Sequence, residues 1–424
     1  MNRIFVLAVL IFLLFIVGFA AIRPAVVALI LPLLLYLLVG LIYSPDEVKI
    51  RAERSLSAER LKTGDEVLVS LDVTNLGSTL EEVYLEDQIP DGLEVTQGSS
   101  RRLVALPAGG TVKWTYSLKG RRGYYGLRKV QATAREHLGL AERVVDLATD
   151  GQLFILPSVL RLRRVAIQPR RTRIFSGNIP AKQGGSGVEF FNVREYQPGD
   201  SPRWINWRAT ARHVQNIYTN EFEQERAADV GLILDGRQRT NMFGDRSIFE
   251  HSVMAAAAMA DTFLNAGNRV GLLFYGRQVT WTAPGYGKIQ SERILHELSK
   301  ITPGDTLNFN ELYVPRHLFP SRSQLVVFSP LVQEDFDILT ALRLRGYHLL
   351  VISPDPVAFE SAGMARTPVN EQASRIVHIQ RALLLRRLRG SGIHVVNWDT
   401  SQPFEKIAKR ELEQRLVLPR GGVL

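Results

Sequence analysis

The chain has 424 residues, 46% hydrophobic and 22% charged, with 52 Lys+Arg against 42 Asp+Glu and no cysteine. That length suits two or three domains of roughly 100–200 residues, and the missing cysteines exclude disulfides, thiolate metal sites and a cysteine nucleophile. The formal net charge of +10 raises phosphate binding as a possibility, which needs clustered Lys and Arg.

Two apolar runs open the chain, Ile4 to Ile22 and Ala25 to Tyr43, with only Arg23 and Pro24 between them. Each matches the roughly 20 residues that cross a ~30 Å hydrocarbon core as a helix. Residues 1–45 are therefore expected to form a two-helix transmembrane hairpin, meeting the lipid bilayer through residues 4–43. Arg3 precedes the first run, and Lys49, Arg51, Arg54, Arg60 and Lys62 follow the second. The positive-inside bias then predicts a two-span plasma-membrane protein with the bulk of the chain cytoplasmic. A cleaved signal peptide is the alternative reading of the first run.

Residues 46–157 read as an all-β sandwich. Val67, Val69, Leu71 and Val73 alternate with polar or outward positions, as do Val112, Trp114, Tyr116 and Leu118. That period-two pattern buries one face of each strand. Turn signals at Asn75–Gly77, Pro90–Gly92, Gly109–Gly110 and Gly120–Gly123 recur at the spacing of a small, Ig-like sandwich.

From Gly151 to Val188 there is no acidic residue, while Arg161, Arg163, Arg164, Arg170, Arg171, Arg173 and Lys182 supply +7, leaving +3 elsewhere. The run Arg161–Arg173 suits a solvated linker, or binding to RNA, anionic lipid head groups or an acidic protein surface. Nucleic acid is the disfavoured partner, since no aromatic side chain interleaves with the arginines for base stacking. Ser176 to Gly187 is rich in glycine and reads as a loop.

The segment Gly187-Val-Glu-Phe-Phe-Asn-Val-Arg-Glu-Tyr-Gln-Pro-Gly-Asp200, followed by Ser-Pro-Arg-Trp-Ile-Asn-Trp-Arg-Ala-Thr-Ala-Arg212, is the most distinctive. Pro198-Gly199 makes a turn, Ser201 is positioned as an N-cap and Pro202 as the first helical residue. The spacing then predicts a helix with Trp204, Trp207 and Ala211 on one face. Glu195, Asp200, Glu221 and Glu223 lie near Arg194, Arg203, Arg208 and Arg212, an ion-pair clamp whose carboxylates would be held low by the arginines.

Val230 to Leu234 is a continuous apolar run ending at Asp235, as in a strand buried on both faces. Phe249, Val253, Ala256, Ala260, Phe263 and Leu264 mark one helical face, closed by Gly267. Further strands are expected at Val270–Tyr275, Leu325–Phe328, Leu349–Ile352 and Ile393–Val396. Helices are expected near Ser291–Ser299, Asp335–Arg345, Ala373–Arg389 and Phe404–Gln414. This alternation implies a doubly wound parallel sheet over 229–424, after a basic linker and signature over 158–228. Such sheets hold ligands at their carboxyl ends, which points to Asp235 and Ser329.

Gly187, Glu189, Phe190, Arg194, Glu195, Tyr196, Pro198, Gly199, Asp200, Arg203, Ile205, Trp207, Ala211 and Arg212 fill a pattern that closely resembles the signature of domain of unknown function family 58 (DUF 58). The resemblance implies a membrane hairpin, a β-domain and a von Willebrand factor A-like α/β domain. It also implies a MoxR-type AAA+ ATPase as protein partner. In von Willebrand factor A-like domains the first loop holds Asp-x-Ser-x-Ser for a hard cation. Here it reads Asp235-Gly236-Arg237-Gln238-Arg239, with Thr306 matching the usual threonine and Ser329-Pro330 standing where an aspartate is expected to follow. The site is thus expected to be degenerate, with Mg²⁺ disfavoured and arginine replacing the cation.

No phosphate-binding Gly-x-x-x-x-Gly-Lys-Ser/Thr loop occurs, and the eight histidines include no pair spaced for zinc. Gly184-Gly185-Ser186-Gly187 is not a nucleophile elbow, because Val188 holds the second glycine position. The chain reads as a non-enzymatic, membrane-anchored adaptor. The signature residues Glu189, Arg194, Glu195, Tyr196, Asp200, Arg203, Trp207 and Arg212 form its interaction element. An enzyme built on the Arg/Glu/Asp cluster is the alternative.

Overall fold

Alternating patterns in the first half of the chain and continuous apolar runs in the second give two compact units, Met1–Leu156 and Pro157–Leu424. The computed structural model describes residues 3–22, 24–42, 48–135, 142–162, 165, 172–212, 215–243, 246–304, 312–321, 323–365 and 367–413.

The N-terminal apolar runs do not form the expected hairpin of two spans. The first folds as α1 (Arg3–Ala20), 18 residues and about 27 Å long at 1.5 Å per residue. The second is broken at Leu29 into α2 (Pro24–Ala28) and α3 (Ile30–Ile42), five and 13 residues. Among the described residues no helix is long and apolar enough to cross a membrane. The expected passage through a bilayer at residues 4–43, the anchor at 1–45 and the cytoplasmic placement inferred from the flanking charges are corrected accordingly. Gly18 lets α1 approach α2 closely, since a Cβ there would lie 2.8 Å from Val27 Cγ2.

The rest of this unit is β-structure. Strands β1 (Ile50–Leu56), β3 (Glu66–Asn75), β7 (Thr111–Gly120) and β5 (Leu93–Gln97) form one antiparallel sheet in the order β1-β3-β7-β5. A second sheet runs β10 (Glu142–Ala148), β9 (Lys129–Arg135), β4 (Leu80–Asp87) and β6 (Arg101–Leu106). A small third sheet joins β2 (Arg60–Lys62), β11 (Gln152–Leu156) and β8 (Gly123–Gly126). Val69 pairs with Tyr116 and Leu71 with Trp114, so both strands aim their alternate residues into one core shared with Val83, Leu85, Val130 and Ala132. Within that core Arg54, Asp87 and Tyr116 form a fully buried polar triad, the Tyr116 hydroxyl donating to Asp87 Oδ2. Burial and the adjacent Asp87 carboxylate push the Tyr116 hydroxyl far up.

The second unit is built on one mixed sheet, in the order β17 (Val279–Gly285), β16 (Arg269–Tyr275), β13 (Tyr218–Asp235), β18 (Gln324–Phe328), β19 (His348–Pro354) and β20 (His394–Trp398). Only the edge strand β17 is antiparallel within this path. Strand β12 (Thr172–Glu195) pairs antiparallel with the extended first half of β13, through four register shifts. The glycine-rich stretch expected as a loop is therefore an irregular strand, its glycines coinciding with the shifts at Ala181/Gly184 and Gly185/Phe190.

Both faces of the sheet are covered, which is why its central strands read as unbroken apolar runs. Val230, Leu232 and Leu234 share one core with α6 (Phe249–Asn265) and α7 (Gly287–Lys300). Ile233, Val327 and Val351 share the other with α8 (Asp335–Leu344) and α10 (Pro368–Gly390). The alanines at 255–258 of α6 are buried, and small side chains let this helix lie close to the sheet. Gly267 (φ +74°) ends α6, with the Asn268 N–H donating to the Phe263 carbonyl. Shorter elements complete the unit: α4 (Trp207–Thr210), α5 (Gln238–Asn241), the ribbon of β14 (Met242–Phe243) and β15 (Arg246–Ser247), α9 (Pro356–Ser361) and α11 (Phe404–Ala408).

Candidate functional site

The first strand in sequence of the six-strand path, β13, lies beside β18, so the chain reverses its winding direction between them. Open α/β sheets form their ligand crevice at that point, beyond the carboxyl ends of the strands. Asp235 ends β13 there, and Ser329 follows β18.

A guanidinium occupies the place. Arg237 is 1% exposed. Its Nε donates to Asp235 Oδ1 at 3.0 Å and its Nη2 to Asp235 Oδ2 at 2.8 Å. On its other side Nη1 and Nη2 donate to Asp335 Oδ1 and Oδ2 at 3.0 and 2.8 Å. One planar fork thus binds two carboxylates, a geometry that suits arginine and not lysine. The loop conformation supports it: the Arg237 N–H donates to Asp235 Oδ1, and Asn241 Nδ2 donates to the carbonyls of Asp235 and Arg237. Ser329 Oγ donates to Asp235 Oδ2 at 2.7 Å, and the Val332 N–H donates to Asp335 Oδ2. Gly236 is required because a Cβ there would lie 2.3 Å from Phe274 Cε2.

The electrostatics follow from burial and pairing. Desolvation works against a charged Arg237, but the bonds to Asp235 and Asp335 outweigh it and raise its pKa. Burial pushes the Asp335 carboxyl up, with Arg237 pulling the other way. A hard divalent cation needs several oxygen ligands with open coordination positions. Here the guanidinium sits between the two carboxylates with its charge directed at both, so these residues do not fit a divalent cation. Arg239 is exposed on α5, and Thr306 lies outside the described residues. Asp335 was not singled out from the sequence. Its approach depends on the bend after β18, which returns the amino end of α8 to the carboxyl end of β13.

A second buried polar cluster sits at the same sheet edge. Arg381 of α10 donates through Nη1 to the Pro330 carbonyl at 2.6 Å. Through Nη2 it reaches Ser353 Oγ at 2.8 Å and Asn397 Oδ1 at 2.7 Å, and its Nε lies 3.3 Å from Asp355 Oδ1. Burial lowers its pKa to about 10, with Asp355 opposing the shift. A cavity of about 410 Å³ adjoins it, lined in part by His378, Arg386 and Arg389. No local pattern marks this group beyond a charged residue at a helix position facing the core.

The signature segment forms a clamp, though not around one helix. Arg194 grips Asp200 in bidentate fashion at 2.8 and 2.7 Å, and its Nε lies 3.5 Å from Glu221 Oε1. The Gln197 N–H also donates to Asp200 Oδ2, closing the Pro198-Gly199 turn, where Gly199 has φ +111°. The bonds from Arg194, then from Gln197, hold the Asp200 carboxyl below its ordinary range. Tyr196 donates its hydroxyl to the Asp200 carbonyl, and Asn216 donates to Glu195 Oε1.

The predicted helix from Ser201 is instead a 3₁₀ turn over Pro202–Trp204, an extended bridge from Ile205 to Thr219, and then α4. Ser201 makes no side-chain cap; Asn206 does, accepting from the Ala209 N–H at 2.9 Å. The break separates the two tryptophans. Trp204 packs edge-on against Phe222, whereas Trp207 is 70% exposed. Arg203, Arg208 and Arg212 lie at the surface around the turn and α4. The side chains of Glu189 and Glu223 lie outside the described residues, as does most of the basic run Arg161–Arg173.

Residues 192–358 match the family model for protein of unknown function DUF58. The chain is 28% identical over 253 residues to uncharacterized protein YeaD of Bacillus subtilis, covering 58% of this chain and 61% of that protein. It is 34% identical over 125 residues to uncharacterized protein Rv1480 of Mycobacterium tuberculosis, 28% of this chain and 37% of that protein. The matches thus span about three fifths or less of these relatives. Among solved structures, a CARDB domain from Pyrococcus furiosus aligns over 27% of this chain and 92% of its own, at 13% identity and TM-score 0.19. The cupredoxin domain of amoB from Nitrosocaldus yellowstonii aligns over 29% and 99%, at 14% identity and TM-score 0.17. Scores that low carry no argument about this chain.

Proposed function

We propose that this protein is a non-enzymatic binding protein, an adaptor whose von Willebrand factor A-like α/β unit engages a protein partner, expected from the DUF 58 resemblance to be a MoxR-type AAA+ ATPase. The observation that carries the reading is the guanidinium of Arg237 between Asp235 and Asp335. It fills the crevice where sheets of this topology hold ligand or metal, and its charge is paired with both carboxylates. A strand order of third-second-first-fourth-fifth-sixth with the third antiparallel supports the von Willebrand factor A-like assignment.

Beside this rigid scaffold the signature segment presents Trp207 with Arg203 and Arg208. These are the residue types most often found as energetic anchors in protein interfaces. Arg194, Asp200 and Glu221 fix the platform under them, and their own charges are spent on one another.

The test mixes the full chain with the MoxR-type ATPase of the same organism and follows complex formation by sedimentation velocity. A complex is expected, weakened roughly tenfold (about 1.4 kcal/mol) by Trp207→Ala with no change in melting temperature. Absence of a complex, or one indifferent to Trp207→Ala and Arg208→Glu, overturns the reading.

A further inference from the structure

Helix α10 spans 23 residues, about 34 Å. It packs on the sheet through Arg381, Leu384, Leu385 and Leu388, all in its second half. Its other side bears Val369, Ile376, Ile379 and Leu383, each more than half exposed. Val369, Ile376 and Leu383 stand seven residues apart, and Ile379 follows Ile376 by three. At 100° per residue this stripe lies roughly 145° around the helix from the packed face.

The spacing is that of a coiled-coil seam, in which a and d positions repeat every seven residues and β-branched side chains favour a. A helix needs one apolar face to pack on its own domain; this one has two, and the second is in water. The charge beside the stripe is one-sided. α10 carries five arginines against the single acid Glu371. Arg381 is buried, Arg387 rests 4.2 Å over the Phe336 ring and Arg389 donates to the Val395 carbonyl. Arg375 is exposed at the g position before Ile376, and Arg386, which also lines the cavity beside Arg381, is exposed at the d position after Leu383.

We propose that the Val369–Leu383 stripe of α10 is a docking seam for an acidic amphipathic helix of a partner protein. A second copy of the chain would set like charge against like, and charge complementarity therefore selects an acidic occupant. A membrane surface is disfavoured because α10 contains none of the aromatic side chains that, with Leu, seat interfacial helices. The seam is on a different element from the signature surface and does not depend on the identity of the partner proposed for it.

The test uses the full chain and a fluorescein-labelled synthetic peptide of about four heptads, with Leu and Ile at a and d and Glu at e and g. Saturable anisotropy is expected, at least about tenfold weaker when Lys replaces Glu, and weaker still as salt rises. The double variant Ile376→Ser with Ile379→Ser should lose about tenfold in affinity, and its melting temperature should hold because both side chains are exposed. Equal binding of the two peptides, or binding indifferent to the double variant, overturns the proposal. So does a dimer of the chain alone that the double variant dissociates, which would make a second copy the occupant. Flotation with anionic vesicles that depends on Ile376 and Ile379, without peptide binding, would assign the face to lipid instead.

Discussion

Replacing Arg237 by methionine keeps much of the side chain's volume and removes its charge. Four guanidinium hydrogen bonds of 2.8–3.0 Å disappear, and two carboxylates with side chains at most 1% exposed lose their shared counter-charge. Breaking a buried ion pair from one side costs about 3–5 kcal/mol. Counting each charged bond at about 1.5–3 kcal/mol would exceed this, but the carboxylates keep partners. Asp235 retains Ser329 Oγ and the residue-237 N–H, and Asp335 retains the Val332 N–H. A loss of about 4 kcal/mol at neutral pH is expected, a large part of a typical 5–15 kcal/mol stability. The loss should shrink in acid. Burial already raises the Asp335 carboxyl, and removing Arg237 raises it further, so the folded variant binds a proton there more readily than the unfolded chain. The Asp335 contribution is therefore intact below the unfolded carboxylate range and is lost as pH rises through the raised folded value. Urea unfolding followed by tryptophan fluorescence suits the measurement, because Trp204, Trp207, Trp281 and Trp398 all lie in the α/β unit, with Trp114 in the other. Adding Asp335→Asn should recover at least about 1 kcal/mol, since the two sites are coupled. A loss under about 1 kcal/mol, or one flat with pH, would refute the assignment of Arg237 as the neutralising cation.

Other consequences can be checked separately. Arg237→Ser should gain divalent-cation dependence, its melting temperature rising with Mg²⁺ where the parent's does not, because two carboxylates and Ser329 then face an open position. Gly236→Ala should destabilise the α/β unit strongly, since its Cβ would meet the Phe274 ring, whereas Gly64→Ala has space and loses only its positive-φ preference of about 1 kcal/mol. Tyr116→Phe should cost about 1–3 kcal/mol by leaving Asp87 short of a buried donor; spectrophotometric titration should show one fewer tyrosine resisting ionisation well above pH 10 in the variant than in the parent. Asp200→Asn should remove an acid-sensitive contribution: Asp200 lies below its ordinary range, so the clamp's stability is present above the unfolded value and lost as pH falls through the folded one. Melting curves that stay parallel between parent and variant down to the lowest accessible pH would contradict that role.

The amino-acid order alone determined the class of the strands at 67–73 and 230–234 and of the long helix α6. Val67 to Val73 alternates because one face is wet; Val230 to Leu234 does not because helices cover both sides; the α6 stripe ends where Gly267 permits a left-handed turn. The arginines at 237 and 239 also set positive charge in the loop where a divalent cation would need oxygen ligands. Apolarity of residues 4–43, by contrast, fixed no span length, because hydrophobicity does not say where a helix breaks, and the second run breaks at Leu29. The glycine-rich segment before the signature was paired rather than free because β13 extends far enough to supply a partner edge. Trp204 and Trp207 shared a face only in an unbroken helix, and the Ile205–Thr219 bridge turned one inward and one outward.

The chain carries a formal net charge of +10, and tertiary structure decides how some of that charge acts. Arg237 meets Asp335 across 98 positions of chain, Arg54 meets Asp87 across 33, and Arg381 is surrounded by Pro330, Ser353, Asp355 and Asn397. Sequence gives the number and kind of charges. Which of them are buried, satisfied and removed from any encounter with a ligand is set by contacts between residues that are distant along the chain, and local patterns carry no record of those contacts.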